Sequence, residues 1–596
     1  VGAVAHRDRG GELAAEALVG DLQQLDLRAR LIPAVRRRGH EASDALRVPL
    51  PVEAEATLTE RVAIHGELAD ARAVQIPVQL PQGALPGHGG LQIRATATIL
   101  GGLEDAATAL LEYPHGCAEQ TASRLLPAIA LPGLGLAIPA GHVEAAIAHL
   151  AAMQTHSGGF AYWPDHRNWP GQSNVHPYAS AYATWVLQRA AAAGLPVPKA
   201  MLSAALDDLA ERAAATDLAA LSAALATDAG VPLALALHAL ADAGRDVHAP
   251  AAALFAHRSA LPLFARALLL MALHRDDPRQ TAVATLADEL LGGLDEGPSE
   301  ARTVEASGRS HDAYFHSEAR SDAIVLLALL QVRPGHPVLA KLARGLLARR
   351  RGGAWRNTQE NAYALLALAD YARLHESTAP DLQARAWLAG RSVLDVALEG
   401  RAAAPAAAYA PMTELLHMTE ETGGLLPVVL QRQGQGRLYY RLGVTWAPAG
   451  DDLPARDQGL ALTRVLRGRR GPLRGELPAG EPIALDLELR AQRRVPYLVV
   501  DVPIPAGLEP VQLDLGQGRR AAAPLTGVDG HWFNHEELRR DRVVLFADEL
   551  PPGTHRHTIH LRSTTRGRYA FPPARAEAMY IPELYGRSTG ALVDVK

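Results

Sequence analysis

Hydrophobic periodicity changes twice along this chain, and each change sets a boundary. From about Arg47 to Leu100 the apolar residues fall in short runs broken by Pro and Gly, VPLPVEAEATL, VQIPVQLPQGALPG and LQIRATATIL. Leu91, Ile93, Ala95 and Ala97 alternate with polar neighbours, which predicts a half-buried strand. From about Leu103 to Leu374 the texture is Ala/Leu-rich with helical spacing, as in VEAAIAHLAAMQ, ALLLMALHR and DAIVLLALLQ, punctuated by Gly and Pro. After about Pro380 β texture returns with RLYYRLGVTW. From Gly459 onward come ALTRVLRG, PIALDLELRA, YLVVDVPIPAGLEP, DRVVLFADEL and HRHTIHLRSTT, each closed by turn residues. That spacing predicts a terminal β-sandwich of roughly 140 residues. An all-α domain inserted into a split β domain fits the order.

Within the helical block, MQTHSGGFAYW and LARRRGGAWRNTQENAYALLAL share a pattern: Gly-Gly and an aromatic after one helix, then an Ala/Tyr/Leu-rich helix. The interval between Gly159 and Gly353 has room for about four helical hairpins of just under 50 residues. Paired helices of this kind resemble an α/α toroid, a fold that says nothing by itself about chemistry.

The chain has 596 residues, 48% hydrophobic and 21% charged, with a formal net charge of -5. Length implies several domains, and the charge disfavours nucleic acid or anionic lipid as a partner. No apolar run is long enough to span a membrane, and no lipid-attachment motif is present. The chain begins at Val1 without an initiator Met, so the expectation is a piece of a longer or processed protein, with any targeting signal upstream.

Chemistry concentrates in YPHGCAEQ, which holds the single cysteine, Cys117. A thiolate there can attack the carboxamide of Gln120 and expel ammonia, leaving an internal thioester. Pro114 and Gly116 break structure before a helix that starts at this point. Residues three apart then share a face, and the helix dipole favours the thiolate. Glu119 is placed to hydrogen-bond or to move a proton during amide activation. Such an acyl donor lasts only where water is excluded, and Tyr113 is a candidate aromatic lid.

The string YPHGCAEQTASRLLP closely resembles the thioester motif of bacterial α2-macroglobulins. SGGFAYW, RNTQENAYALLAL, YLVVDVPIPAGLEP, RDRVVLFAD and FPPARAEAMYIPELYGRSTG extend the resemblance from about residue 45 to 596. It implies an α/α toroid thioester domain inserted in a CUB-like β domain and followed by a macroglobulin-like β-sandwich. The implied boundaries are 45–100 and 381–452 for the CUB-like parts, 101–380 for the thioester domain and 453–596 for the sandwich; residues 1–44 are read as the tail of a preceding β domain or the start of a fragment.

In function the resemblance implies a broad-spectrum endopeptidase inhibitor, not an enzyme, that captures attacking proteases through surface lysine amines once a conformational change exposes the thioester. It implies Cys117 and Gln120 as the cross-linked pair, and Tyr113, Met579 and Tyr580 as its shield. It implies a periplasmic protein, anchored as a lipoprotein through an upstream segment and acting alongside a penicillin-binding protein of peptidoglycan synthesis. No cofactor or metal is implied. Some complement relatives transfer the acyl group to a His before hydroxyl acceptors react, and His115 and His176 are the candidates here. A covalent surface-tagging or adhesion protein is the alternative within thioester chemistry; a toroid cyclase or transferase is the enzymatic one.

Other clusters have plainer explanations. Trp163, Trp169, Trp185, Tyr162, Tyr178 and Tyr182 read as core packing of the helical block rather than as a ligand cage. His555 and His557 share a strand face without further ligands, and Asp207 with Asp208 reads as a solvated helix face.

Overall fold

The computed structural model describes residues 13–18, 24–31, 44–51, 60–68, 72–81, 84–131, 138–164, 174–217, 223–298, 300–305, 314–350, 353–376, 380–400, 405–422, 424–448, 455–469, 471–473, 475–511 and 532–596. Trp169, one of the aromatics singled out above, lies outside them. Residues 60–446 form one compact unit, and residues 447–596 group with the first 59 in another.

The larger unit is built on two four-stranded antiparallel sheets. One runs in the order Arg391–Glu399, Asp381–Leu388, Leu425–Gln435, Ala73–Gln79. The other runs Ala406–Pro411, Ala84–Thr96, Leu438–Pro448, Glu60–Leu68. Both contribute to a single core. Leu91, Ile93 and Ala95 are buried there with Ala97 packed against them, as the alternation predicts, and Leu382, Ala384, Ala386 and Leu388 face them. The first of these eight strands begins at Glu60; the strand Asp44–Pro51 pairs instead with Gln24–Leu31.

Between Ala84–Thr96 and Asp381–Leu388 the chain leaves the sheets and forms thirteen described helices. They are α1 Glu104–Leu111, α2 Ala118–Ser123, α3 Leu126–Ala130, α4 His142–Met153, α5 Pro177–Ala192, α6 Lys199–Ala215, α7 Ala223–Asp242, α8 His248–Ala256, α9 Leu263–Asp276, α10 Thr281–Gly292, α11 Glu318–Val332, α12 Val338–Ala348 and α13 Thr358–His375. The stretch between Gly159 and Gly353 holds four hairpins, α5/α6 through α11/α12. Helices α5, α7, α9, α11 and α13 touch one another in that order, and α2 meets both α13 and α5, so the contacts close into a ring; α4 lies against α2, while α6, α8, α10 and α12 each lie against two successive ring members.

Composition explains which helix goes where. In α11 every residue from Ala319 to Leu330 is buried, as expected of a helix surrounded by protein. By contrast α12 buries one stripe, Val338, Leu339, Leu342, Ala343, Gly345 and Leu346, and its other residues are half-buried or exposed. Side-chain caps set the starts of α13 and α11: Asn357 Oδ1 accepts from the Glu360 N–H at 2.9 Å, and Ser317 Oγ from the Arg320 N–H at 3.2 Å. No described helix is long and apolar enough to cross a membrane.

The Gly-Gly signature has a steric cause. Gly158 has φ +102°, and a Cβ there would stand 2.2 Å from the Ala204 carbonyl oxygen of α6. At Gly159 a Cβ would meet Asp208 Oδ2 at 2.3 Å. Asp208 is buried and bound by Arg212 at 2.8 and 3.2 Å, so only its neighbour Asp207 matches the expected solvated face. Gly158→Ala combines a disfavoured φ with a clash against fixed backbone and is expected to cost about 2–4 kcal/mol in urea unfolding. A loss below about 0.5 kcal/mol, typical of an unconstrained surface change, would contradict that packing.

The other unit carries a six-stranded sheet, a five-stranded sheet and a three-stranded sheet around one hydrophobic core that includes Leu485, Val500, Leu545 and Leu561. His555 and His557 lie on the strand Gly553–Ser563, where His555 Nε2 is 2.8 Å from the Pro551 carbonyl and His557 is 3.8 Å from Glu536. Leu13–Leu18, Gln24–Leu31 and Asp44–Pro51 form a separate antiparallel three-stranded sheet.

Candidate functional site

Cys117 is the N-cap residue of α2, with extended backbone at φ −66° and ψ 170°, and Gln120 is the third helical residue. The pair forms a capping box in which sulfur replaces the usual hydroxyl. The Cys117 N–H donates to Gln120 Oε1 at 3.3 Å. The Glu119 and Gln120 backbone N–H groups face the sulfur, and so does the Tyr162 hydroxyl. Nucleophile and carboxamide are thus held together by the ordinary hydrogen bonding of a helix start. The bond to Oε1 also places a donor where negative charge would develop if the sulfur attacked Cδ. Cys117, Glu119 and Gln120 are all 0% exposed.

Burial and charge set the thiol's acidity. The helix end favours a thiolate, as the sequence leads one to expect, yet desolvation dominates. Together with the Glu119 carboxylate it outweighs the Tyr162, Gln120 and Glu119 hydrogen bonds and pushes the thiol up to about 12 from an ordinary 9.0. A folded-state pKa above the unfolded one favours the protonated form in the fold. With its thiol free, the protein therefore keeps this contribution below pH 9 and loses it as the pH rises toward 12, at about 1.4 kcal/mol per pH unit. Urea unfolding at pH 8.5 and 11 should show a thiol-bearing protein losing roughly 2–3 kcal/mol more than Cys117→Ser. Equal losses would contradict this.

Glu119 points away from solvent toward α13. Its Oε1 accepts from Ser123 Oγ at 2.7 Å and from Gln359 Nε2 at 2.8 Å, and its Oε2 accepts from Thr358 Oγ1 at 2.8 Å. Ser123 Oγ also lies 2.9 Å from the Tyr182 hydroxyl. The carboxylate sits at the N-terminal end of α13, where the helix dipole favours an anion, and it ties α2 to that helix. Within the same ring Arg320 is fully buried, with its guanidinium over Phe264 at 4.5 Å, Tyr178 at 5.2 Å and Tyr363 at 5.6 Å, and it donates to the Tyr178 hydroxyl. Tyr162, Trp163, Trp185, Tyr178 and Tyr182 are core residues, as the sequence suggests.

The segment before Cys117 is held by α2 and α4. Arg124 donates to the Tyr113 carbonyl and, at 2.7 Å, to the His115 carbonyl, while His149 Nε2 lies 2.8 Å from the Gly116 carbonyl. A Cβ on Gly116 would come within 3.2 Å of that imidazole, a tight contact. Tyr113 is half-buried and packs edge-on against the buried His115 at 5.5 Å. His176 caps α5, its Nδ1 accepting from the Ala179 N–H at 3.1 Å, and its ring lies 5.0 Å from that of Tyr162.

Met579 and Tyr580 belong to the other unit. They form the two-residue turn between the paired strands Arg575–Ala578 and Ile581–Arg587. Such turns ordinarily hold Gly or Asn, but here both residues are buried. The Met579 N–H donates to the Tyr497 carbonyl at 2.9 Å, and Tyr580 lies edge-on to the Tyr497 ring at 5.3 Å.

Sequence reasoning located Cys117, Glu119 and Gln120 but missed Thr358, Gln359 and His149 as partners and read Tyr162 only as packing. The strings RNTQENAY and SGGFAYW contain three of these four, and their polar or hydroxyl groups beside helix starts were the available signal.

Residues 459–583 match the family model of the bacterial α2-macroglobulin MG10 domain. An α2-macroglobulin homolog of Nostoc is 27% identical over 574 residues, covering 92% of this chain and 29% of the relative. The α2-macroglobulin of Escherichia coli is 27% identical over 517 residues, covering 82% of this chain and 28% of the relative. The chain therefore spans less than a third of the length of these curated relatives. Among solved structures, native E. coli α2-macroglobulin from domain MG7 to the C-terminus superposes with a TM-score of 0.74 at 20% identity, covering 96% of this chain and 87% of that one. Salmonella α2-macroglobulin reacted with methylamine gives 0.75 at 20% identity, covering 98% and 38%. With the terminal domain matched, relatives aligned along most of the sequence and the multidomain fold of helices and sheets shared, this chain is similar to bacterial α2-macroglobulins along most of its length.

Proposed function

We propose that this chain is the thioester-bearing part of a protease inhibitor of α2-macroglobulin type, in which Cys117 Sγ and Gln120 Cδ form an internal thioester that captures attacking endopeptidases through their lysine amines. The observation that carries it is the fully buried capping box, where sulfur and carboxamide share one helix start away from water. In this reading the helical ring is an α/α toroid, the two four-stranded sheets are the CUB-like domain it interrupts, and the terminal unit contains the macroglobulin-like sandwich. Tyr113, Met579 and Tyr580 take the shielding role. Glu119, with both oxygens engaged by α13 and Ser123, fixes the orientation of α2 while the ring forms.

Closure joins Sγ to Cδ and releases the amide nitrogen as ammonia, the thiol proton leaving with it. Opening by an amine forms a secondary amide at Gln120 and frees the Cys117 thiol. Freshly purified protein incubated with methylamine should take up one amine per chain, mapped to Gln120 by peptide mass, with a thiol appearing at Cys117. Protein with a titratable thiol before treatment and no amine on Gln120 after it would overturn the reading.

A further inference from the structure

Whichever way the thioester reacts, sulfur must carry negative charge where burial makes that costly, so the donors around Cys117 decide the rate. Tyr162 is one of them. Its hydroxyl hydrogen-bonds the Cys117 sulfur, and it is a side-chain donor whereas the Glu119 and Gln120 donors are backbone N–H groups. The segment that carries it is clamped at each residue. The Phe160 N–H donates to Ser180 Oγ at 3.0 Å, the Ala161 N–H to the Met153 carbonyl at 3.0 Å, and the Tyr162 carbonyl accepts from the Ala118 N–H at 3.0 Å. Its ring is 2% exposed and flanked by Trp163 at 5.4 Å, His176 at 5.0 Å and Phe315 at 6.3 Å. Two elements thus aim one phenol at one sulfur: its own segment tied to α2 through Ala118, and the aromatic wall that fixes the ring.

We propose that the Tyr162 hydroxyl is the hydrogen-bond donor that serves the Cys117 sulfur both as nucleophile during closure and as leaving group during opening, which makes Tyr162 a catalytic residue of the thioester. This rests on the thioester reading above. In opening, the amine lone pair forms the C–N bond to Gln120 Cδ and the C–S bond breaks with its electron pair on Sγ. Tyr162 stabilises the departing sulfur, and the proton lost by the nitrogen ends on Sγ. The products are a secondary amide and a thiol. In closure the flow reverses, sulfur attacks Cδ and ammonia leaves. No oxidant or metal enters either balance.

The test uses the full chain with Tyr162→Phe and, separately, with a fluorotyrosine at position 162, whose more acidic phenol is a stronger donor in nearly the same volume. Ammonia loss is followed by intact mass and opening by the rate of thiol release in methylamine. Removing a donor of this kind should slow opening of the matured Phe variant about tenfold to a hundredfold, and the fluorotyrosine should speed it. A folded Phe variant that never loses ammonia supports the same donor role in closure. Matured Tyr162→Phe opening at the wild-type rate overturns the proposal, as does a fluorotyrosine protein that matures and opens unchanged. If Tyr162→Phe does not fold, the fluorotyrosine rate decides. Wild-type protein that never loses ammonia instead refutes the thioester reading itself, a result read before any variant is compared.

Discussion

Glu119→Ala is expected to destabilise the 60–446 unit by about 3–5 kcal/mol. The substitution removes the acceptor for Ser123, Thr358 and Gln359 at once, leaving three donors in a fully buried site. It also removes a buried negative charge whose field reaches Tyr178 and Tyr182, the same two side chains that feel the fully buried Arg320. Three buried donors lose their acceptor together, which is why the effect should exceed that of a single lost hydrogen bond. Hydrogen exchange should show α2 and the first turn of α13 opening first, since Glu119 joins them. Urea unfolding with a loss under about 1 kcal/mol, the size of one ordinary hydrogen bond, would show that the carboxylate is not structural.

The second large effect is chemical. Gln120→Ala removes the acyl carbon and should reduce methylamine uptake from one per chain to none, with every chain then carrying a Cys117 thiol. Stability should fall only by about 1 kcal/mol, the scale of a lost helix cap, because the Cys117 N–H loses its acceptor while the rest of α2 stays packed. The exposed-thiol behaviour usual for a free cysteine should not follow. Held in its protonated form by burial, Cys117 should react slowly with iodoacetamide near neutral pH and fast only after unfolding. Fast alkylation of the folded variant would mean that the site is open to solvent.

The placing of Cys117 and Gln120 together at one helix start was legible because its logic is local. Cys117 and Gln120 are three residues apart on one helix turn, and a helix start can be read from Pro114 and Gly116 alone. The change from period two to helical spacing was equally visible, since each strand and helix writes its own pattern. What the sequence concealed are partnerships made by closure of the ring. Glu119 meets Gln359 across 240 positions of chain, and a string such as NTQENAY looks like a capped helix whichever residue it faces. Asp208 misleads for a related reason, and nothing in the sequence marks Arg320: charges in the first turn or middle of a helix usually point to water, yet both are buried here, one under Gly159 and one among aromatics. The acidity of Cys117 turned on magnitude. A helix end lowers a thiol pKa modestly, and complete burial raises it more.

The most direct test of the thioester is the intact mass of freshly purified, untreated protein with thiol titration on the same sample. A mass lower than the sequence by one ammonia, with no titratable thiol even after unfolding in acid, is the expected result. The full sequence mass with one thiol per chain, found again in protein harvested early and kept cold, would contradict it.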